Sequence, residues 1–561
     1  MAKKSMPKKA DGNGLKTYCV HSNDASSKAT FSALKKERGA SPRFAFAAGV
    51  TAKTLDPETI ARAYLQQALA SDSAPAFTAP VVDKITSEYK SLGAEAIPLT
   101  GTTSVKFRQM LNGVPIYGSL VTVELDETNE LLGINSSTGL PKGVSPIAKI
   151  SASDAVKVVA SDTDYKADTT NIVPHLWYYF DAAKSKWHLA FIIEQVPVRR
   201  GEIKGPIPVL MDYFIDAHTG KLIAKVPRTA TMAAASATGV DCLGVSRSFQ
   251  VENTGTKKVL KDTALNVQTF DFKNKDPETQ PNSLPGSVIS NPPQFSPSAV
   301  SAHGNASEVS RFMRTTLMRN NIDGMGGAMI STINCIQVSE SENGLGKEWI
   351  NAFWDGLKLQ MVYGLRLNGG VVLSLSADLD VVAHEMTHGV TDMTSKLQYQ
   401  TQSGAMNESY SDIMGVIVNN FAKPDQSTWA WDIGAGLQPN GRPFRNFLDP
   451  TAEGQPAHMR DFVVTNRDHG GVHTNSGIHN KAAANVLVSK RANGSFLFTP
   501  KEAAILFYLT LTQQLSRTSQ FSDSRRGMVQ SARTFFRTLP PAQLTERIDA
   551  IEKAFQDVGI V

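Results

Sequence analysis

The stretch "VVAHEMTHGV", residues 381–390, sets two histidines four positions apart, His384 and His388, with Glu385 directly after the first. Positions i and i+4 of a helix lie on one face, one turn apart, so both imidazoles can reach a single ion. Glu385 is turned away by one residue. It can reach a water beside the ion without ligating it, which is the physical content of the His-Glu-x-x-His pattern. Leu379, Val381, Val382 and Ala383 make the preceding turn apolar, as in a buried helix. Polar groups on such a helix need partners. The pattern also arises by chance, or from histidines that merely satisfy their neighbours, so the rest of the chain has to arbitrate.

A catalytic zinc needs a third protein ligand and an open fourth position. "GAMNESYSD", 404–412, offers Glu408 on the next expected helix, twenty residues after His388. Asp412 follows one turn later, where it can accept a hydrogen bond from a ligand imidazole and fix its tautomer. A third cluster is "RDHGGVHTNSGIHNKA", 467–482. Its Gly-Gly step permits close backbone approach, and Asp468 and His473 flank it, so a carboxylate can orient and charge an imidazole. Alone, His473 reads more naturally as a structural histidine. Beside a zinc helix it becomes a candidate donor to a developing oxyanion.

Further out, the chain divides by composition. With 561 residues, 41% hydrophobic and 19% charged, it has material for several cores. The net charge of +5 is small, and much of it comes from the start, "MAKKSMPKKADGNGLK". No other basic run exists, so nucleic-acid binding is not expected. No segment is long and apolar enough to span a bilayer, and no apolar stretch follows the basic start, so no standard secretory leader is expected in it. Cys19, Cys242 and Cys335 are scattered and odd in number, without metal-type pairing or a disulfide framework.

"DPETIARAYLQQALA", 56–70, predicts a helix capped by Asp56 and started by Pro57. "VKFRQMLNGVPIYGSLVTVEL", 105–125, changes the period to two around an Asn112-Gly113 hairpin. "SASDAVKVVASD" predicts a second capped helix; "WHLAFIIEQV" and "VLMDYFIDAHTGKLIAKV" predict strands, the last turning at 216–220. "PRTATMAAASATG", 227–239, is nearly all small residues and reads as an exposed, cleavable linker. Past about residue 375 the pattern is mostly helical, including "TPKEAAILFYLTLTQQL" with Thr499 as cap and Pro500 in the first turn.

The three clusters, in this order and spacing, resemble the thermolysin family of zinc endopeptidases over roughly residues 237–561. "NAFWDG" (351–356), "MVYG" (361–364), "RNFLDP" (445–450) and the C-terminal "SRTSQFSDSRRGMVQSARTFF" through "AFQDVGIV" are similar to further segments of that family. Upstream, "GVPIYG" and "DYFIDAHTGKLI" are similar to the propeptide modules of thermolysin- and fungalysin-type enzymes. The resemblance implies an α+β protein: a two-lobed catalytic unit, β-rich then α-helical with the zinc helix between, preceded by two α+β propeptide modules. The expected boundaries are a basic disordered tail over 1–40, propeptide modules over 41–145 and 146–226, the linker 227–239, a β-rich lobe over 240–390 and a helical lobe over 391–561.

The resemblance also implies roles. One zinc ion is held by His384, His388 and Glu408, with Glu385 as general base. Tyr399 and His473 stabilise the oxyanion, and Asp468 orients His473. Asn407 and Asp412 support the ligand histidines. Asn351, the backbone of Ala352, and Arg445 hold the peptide. The positions matching the primary specificity pocket, Leu375, Val381, Ile433 and Phe444, are all apolar, which implies cleavage before bulky hydrophobic residues. Expected partners are protein or peptide substrates and the chain's own propeptide, as inhibitor and chaperone of a monomer. Relatives of this kind are secreted.

The sequence departs from the family where a paired calcium site is expected. Asp380 and Asp432 remain, but matching positions read Asn419, Ala430 and Ala435. Calcium takes six to eight oxygens, with carboxylates supplying the charge, so the double site is expected to be lost. The alternatives are a catalytically silent protease-fold binding protein, and a zinc hydrolase of non-peptide substrates.

Overall fold

The computed structural model describes residues 14–24, 31, 56–70, 87–162, 173–198, 209–228, 237–253, 257–337, 348–368, 371–438 and 441–561. Two antiparallel sheets come first. Strands β1 (Leu15–His21), β2 (Ser87–Ile97), β3 (Thr102–Leu111), β4 (Leu120–Leu125) and β5 (Leu131–Gly139) form one, in the order β1-β5-β4-β3-β2. Helix α1 (Pro57–Ala70) covers it, burying Ile60, Tyr64 and Leu65 against Val105, Phe107 and Val123. The hairpin after β3 turns at Asn112 (φ 50°) and Gly113 (φ 76°), both left-handed as a tight primed turn requires. Helix α2 (Ala152–Asp162) packs on a second sheet, a meander of β6 (His175–Asp181), β7 (Lys186–Val198), β8 (Val209–Asp216) and β9 (Leu222–Arg228).

Two expectations need correction here. The stretch 1–40 is not a disordered arm throughout: β1 pairs along its length with β5, and Val20 and His21 are buried. The lysines of 1–16 masked a short strand whose inward residues, Tyr18 and Val20, complete the first core. The remaining lysines, Lys3, Lys4, Lys8 and Lys9, lie outside the described residues. The linker is also shorter than 227–239. Strand β9 runs through Arg228, and Thr238–Val240 pairs with Ser246–Ser248. Small residues do not prevent strand pairing when a partner strand supplies the hydrogen bonds. Residues 229–236 lie outside the described residues. The first two modules, moreover, are fused: Leu111, Val114 and Ile116 enter the second core beside Tyr178 and Leu189.

The region that follows is built on a seven-stranded sheet. Strands β10 (Val267–Lys275), β11 (Met329–Cys335) and β13 (Gln360–Asn368) run parallel, and β12 (Trp349–Asp355) pairs antiparallel to β13 at the edge. Strand β14 (Val371–Ser374) pairs β13 and leads into the helices. One helix, α3 (Pro297–Thr316), lies between β10 and β11; after β14 come α4 (Leu379–Met393), α5 (Thr401–Asn420), α6 (Asp468–Leu487), α7 (Pro500–Leu509), α8 (Phe521–Phe535) and α9 (Pro541–Gln556). Thr499 caps α7 and Pro500 sits in its first turn, as the sequence predicts, and Glu502 completes a reciprocal capping box. No helix among the described residues is long and apolar enough to cross a membrane.

Helix α4 crosses the sheet at Gly389. A Cβ there would lie 1.8 Å from Cη2 of Trp354, which is fully buried. Glycine to alanine inside a helix normally stabilises by about 1 kcal/mol. Overpacking a rigid indole costs about 1–3 kcal/mol and should win. Gly389→Ala is therefore expected to lower the midpoint of urea unfolding, and a raised midpoint would contradict this packing.

Candidate active site

Helices α4 and α5 run side by side and converge their polar groups on one point. His384 Nε2 and His388 Nε2 lie 3.1 Å apart. Glu408 places Oε2 at 3.6 Å from the first and Oε1 at 3.4 Å from the second. Among the described residues these three form the single His/Cys/Asp/Glu group whose ligand atoms fall within 4.8 Å of one another. Two ligands about 2.0–2.1 Å from a tetrahedral ion stand roughly 3.3 Å apart, so the three separations match one face of such a coordination shell.

The rings are held so that their Nε2 lone pairs point inward. His388 Nδ1 donates to Asn407 Oδ1 at 2.7 Å, and Asn407 is itself fixed by donating to the Leu397 carbonyl. His384 Nδ1 lies 2.8 Å from Asp412 Oδ1. With Nδ1 of His388 hydrogen-bonded and Nδ1 of His384 against the Asp412 carboxylate, two facing Nε2 atoms at 3.1 Å make sense around a cation. The donor set fits zinc, with two imidazoles, one carboxylate and, among the described residues, no further protein ligand. Glu385 is buried alongside. Burial, against the pull of His384, pushes its carboxyl up to about 7. Burial would also raise Glu408, but His473, His388 and Arg445 outweigh it and hold this carboxyl well below the usual range.

The structure brings the third cluster to the same place. Asp468, His469, Gly470 and Gly471 are all left-handed, with φ from 49° to 90°. A Cβ on Gly470 would meet Thr401 Cγ2 at 2.7 Å, so glycine permits α6 to start against α5. The turn folds Asp468 back onto His473: Oδ1 accepts from Nδ1 at 2.6 Å and Oδ2 from the backbone N–H at 2.8 Å. His473 Nε2 then faces Tyr399 Oη at 3.1 Å and Glu408 at 3.4 Å. Tyr399 donates a short hydrogen bond to Glu408. Burial opposes charge on His473, but Glu408 and Asp468 prevail and raise its proton affinity.

Asn351 and Ala352 lie on the edge strand β12, where Asn351 Oδ1 accepts from the Ala352 N–H at 2.9 Å. An edge strand is where an extended peptide can be added. Arg445 is drawn into the same cluster. Its guanidinium is turned inward, donating to Asp412 at 2.7 Å and Glu408 at 3.0 Å. It braces these two carboxylates, because two buried carboxylates side by side need a cation. Leu375, Val381, Ile433 and Phe444 all join the core around α4.

Asn480 went unnoticed in the sequence. Its amide donates to Asp412 Oδ2 at 2.8 Å, and its Oδ1 accepts from Ser409 at 2.6 Å. It thus extends the line from His384 through Asp412 by one more group, wholly inside the protein. It lies seven residues, two helical turns, beyond His473, which is the signal that could have found it. Groups that orient ligands indirectly are worth about 10–100-fold in metal affinity. Asn480→Ala is expected near the lower end, read by competition with a chromophoric chelator; unchanged affinity would remove Asn480 from the site.

At the expected calcium position, Asp380 accepts from the Gly434 N–H at 3.2 Å and from the Asn419 amide at 3.4 Å, while Asp378 accepts from Gly436 N–H at 3.0 Å. An amide donor now faces Asp380.

Comparison with known families matches residues 236–392 to the thermolysin metallopeptidase catalytic domain, 395–560 to the thermolysin metallopeptidase alpha-helical domain, and 87–138 to the fungalysin/thermolysin propeptide motif. The chain is 32% identical over 481 residues to a bacillolysin of Brevibacillus brevis, covering 82% of this chain and 83% of that one. It is 28% identical over 497 residues to a thermolysin of Alicyclobacillus acidocaldarius, covering 82% and 84%. A neutral protease of Bacillus pumilus is 33% identical over 341 residues, all of its length and 58% of this chain.

Proposed function

Because the chain belongs to the thermolysin family of zinc metalloendopeptidases and carries that family's propeptide, we propose that His384, His388 and Glu408 bind one zinc ion and that Glu385 is the general base of peptide hydrolysis. The observation that carries this reading is the convergence of the three donor atoms within 4.8 Å, with both ring Nδ1 atoms committed elsewhere. When bound, zinc polarises the scissile carbonyl and makes a water acidic near neutral pH.

The chain's own groups do the rest. Glu385 accepts the water's proton and returns it to the leaving amine. Protonated His473, oriented by Asp468, and the Tyr399 hydroxyl donate to the developing oxyanion. Tyr399 must leave Glu408 to do so. The substrate lies along β12 beside Asn351 and Ala352. Arg445 and Asp412 keep Glu408 and His384 in register. Leu375, Val381, Ile433 and Phe444 select a bulky hydrophobic side chain following the cut bond. Residues before 229 act as intramolecular inhibitor and chaperone, released by cleavage within 229–236. The enzyme acts as a monomer, outside the cell as expected for the family, and without the family's paired calcium ions.

Cleavage-site profiling on a peptide library tests the specificity. The expected profile has Leu, Ile, Phe or Val on the C-terminal side of the cut. Enrichment of charged residues there would contradict the apolar pocket.

A further inference from the structure

Among the described residues, another concentration of buried polar groups lies where the N-terminal sheets meet the catalytic unit. On the catalytic side it is a continuous ribbon. Helix α7 gives way to a π-helical turn, Thr510–Gln514, followed by a loop into α8. Thr510 and Thr512 hydrogen-bond back to the carbonyls of Leu506 and Tyr508. The wide turn leaves the Thr512 and Gln513 carbonyls to the propeptide, where Lys106 Nζ (2.9 Å) and Thr122 Oγ1 (3.3 Å) donate to them. A π turn inside a helical run often marks a functional position.

Arg517 stands just beyond this turn and touches both propeptide modules. Its guanidinium lies 2.6 Å from Glu194 and 3.8 Å from Asp212, both of the second sheet. It also donates to Tyr117 Oη of the first module at 3.3 Å and sits 5.3 Å from that ring's centroid. The arginine side chain is 18% exposed, Asp212 5% and Glu194 33%, so the Asp212 contact in particular is shielded from salt better than a surface pair. The Arg517 backbone carbonyl meanwhile accepts the Gln398 N–H at 2.8 Å, one residue before Tyr399. A cavity between the two units is lined by Tyr117, Asp212, Gln398, Tyr399 and Arg517, and reaches His388.

We propose that Arg517 is the clamp through which this catalytic unit recognises its own propeptide, gripping the second propeptide sheet together with the Tyr117 loop that the first module packs onto that sheet, from the segment that also anchors the Tyr399 loop. This rests on the reading of the N-terminal sheets as a propeptide. The required partner chemistry is specific: a phenol from the loop before β4 and two carboxylates from the second sheet, converging on one guanidinium. The bond is noncovalent and survives cutting of the linker. A fork of planar donors suits this task, whereas a lysine would satisfy one acceptor at a time.

The test uses the full chain with Glu385→Gln, to stop self-digestion, and a recognition sequence for a specific protease placed within 229–236. After cutting, sedimentation velocity at low ionic strength measures the association of the two fragments. The parent pair is expected to stay together. Arg517→Gln is expected to weaken it about tenfold or more, with the zinc content of the catalytic fragment unchanged. Glu194→Gln, made on the propeptide side, should weaken it in the same direction and add little to Arg517→Gln; it keeps the test open if Arg517→Gln fails to fold. Separation of the parent fragments on cutting, or an Arg517→Gln pair as tight as the parent, would overturn the clamp. Hydrolysis by the chain with Glu385 intact is read separately, so a clamp that holds in a chain without proteolysis would overturn the proposed function alone.

Discussion

Glu385→Gln is expected to lower kcat/KM for peptide hydrolysis by about 10²–10⁴-fold while leaving one zinc per chain in place. The substitution keeps the shape of a buried side chain and removes only its capacity to take a proton. Glu385 is not among the three converging donors, so metal content should not follow activity down. The same variant should stop cutting itself within 229–236. Metal analysis and a casein assay on the same sample separate the two effects. Loss of zinc with activity would make Glu385 a structural group, and unchanged activity would end its role as base.

The second large effect is expected from Glu408→Ala. This carboxylate is 1% exposed and lies within 3.6 Å of His384, His388, Arg445 and His473. Removing one partner from a buried charged set costs about 3–5 kcal/mol, because Arg445 is left with Asp412 alone. Zinc affinity should fall by about 10² or more, and the protein should unfold at lower urea even without metal. Equilibrium dialysis reads the first and denaturation the second. Weaker zinc binding with unchanged stability would mean that Arg445 finds another counter-charge. Unchanged zinc binding would remove Glu408 from the ligand set.

What the sequence made legible followed periodic rules. His384 and His388 share a helical face by spacing alone, and Asp412 falls one turn after Glu408, so the imidazole–carboxylate contact at 2.8 Å could be anticipated. Thr499 and Pro500 announce a helix start by themselves. What stayed hidden depends on contacts between distant segments. The direction of Arg445 is decided by two carboxylates more than thirty residues away in sequence, which no local pattern records. Strand β1 needs β5 beside it, and its few apolar residues were outweighed by neighbouring lysines. "FYLTLTQQL" reads as continuous helix. Its widening at Thr510–Gln514 accompanies two threonine back-bonds and donors from Lys106 and Thr122, roughly 400 residues earlier.

The central claim is that one zinc at His384, His388 and Glu408 and one base at Glu385 together make the activity. Titrating zinc into metal-free wild-type chain and metal-free Glu385→Gln, with binding and peptide hydrolysis followed in the same cuvette, tests it most directly. The account expects wild-type activity to rise linearly and saturate at one equivalent, while Glu385→Gln takes up the same equivalent and stays inactive. Activity without zinc, saturation only beyond one equivalent, or turnover by zinc-loaded Glu385→Gln would contradict it.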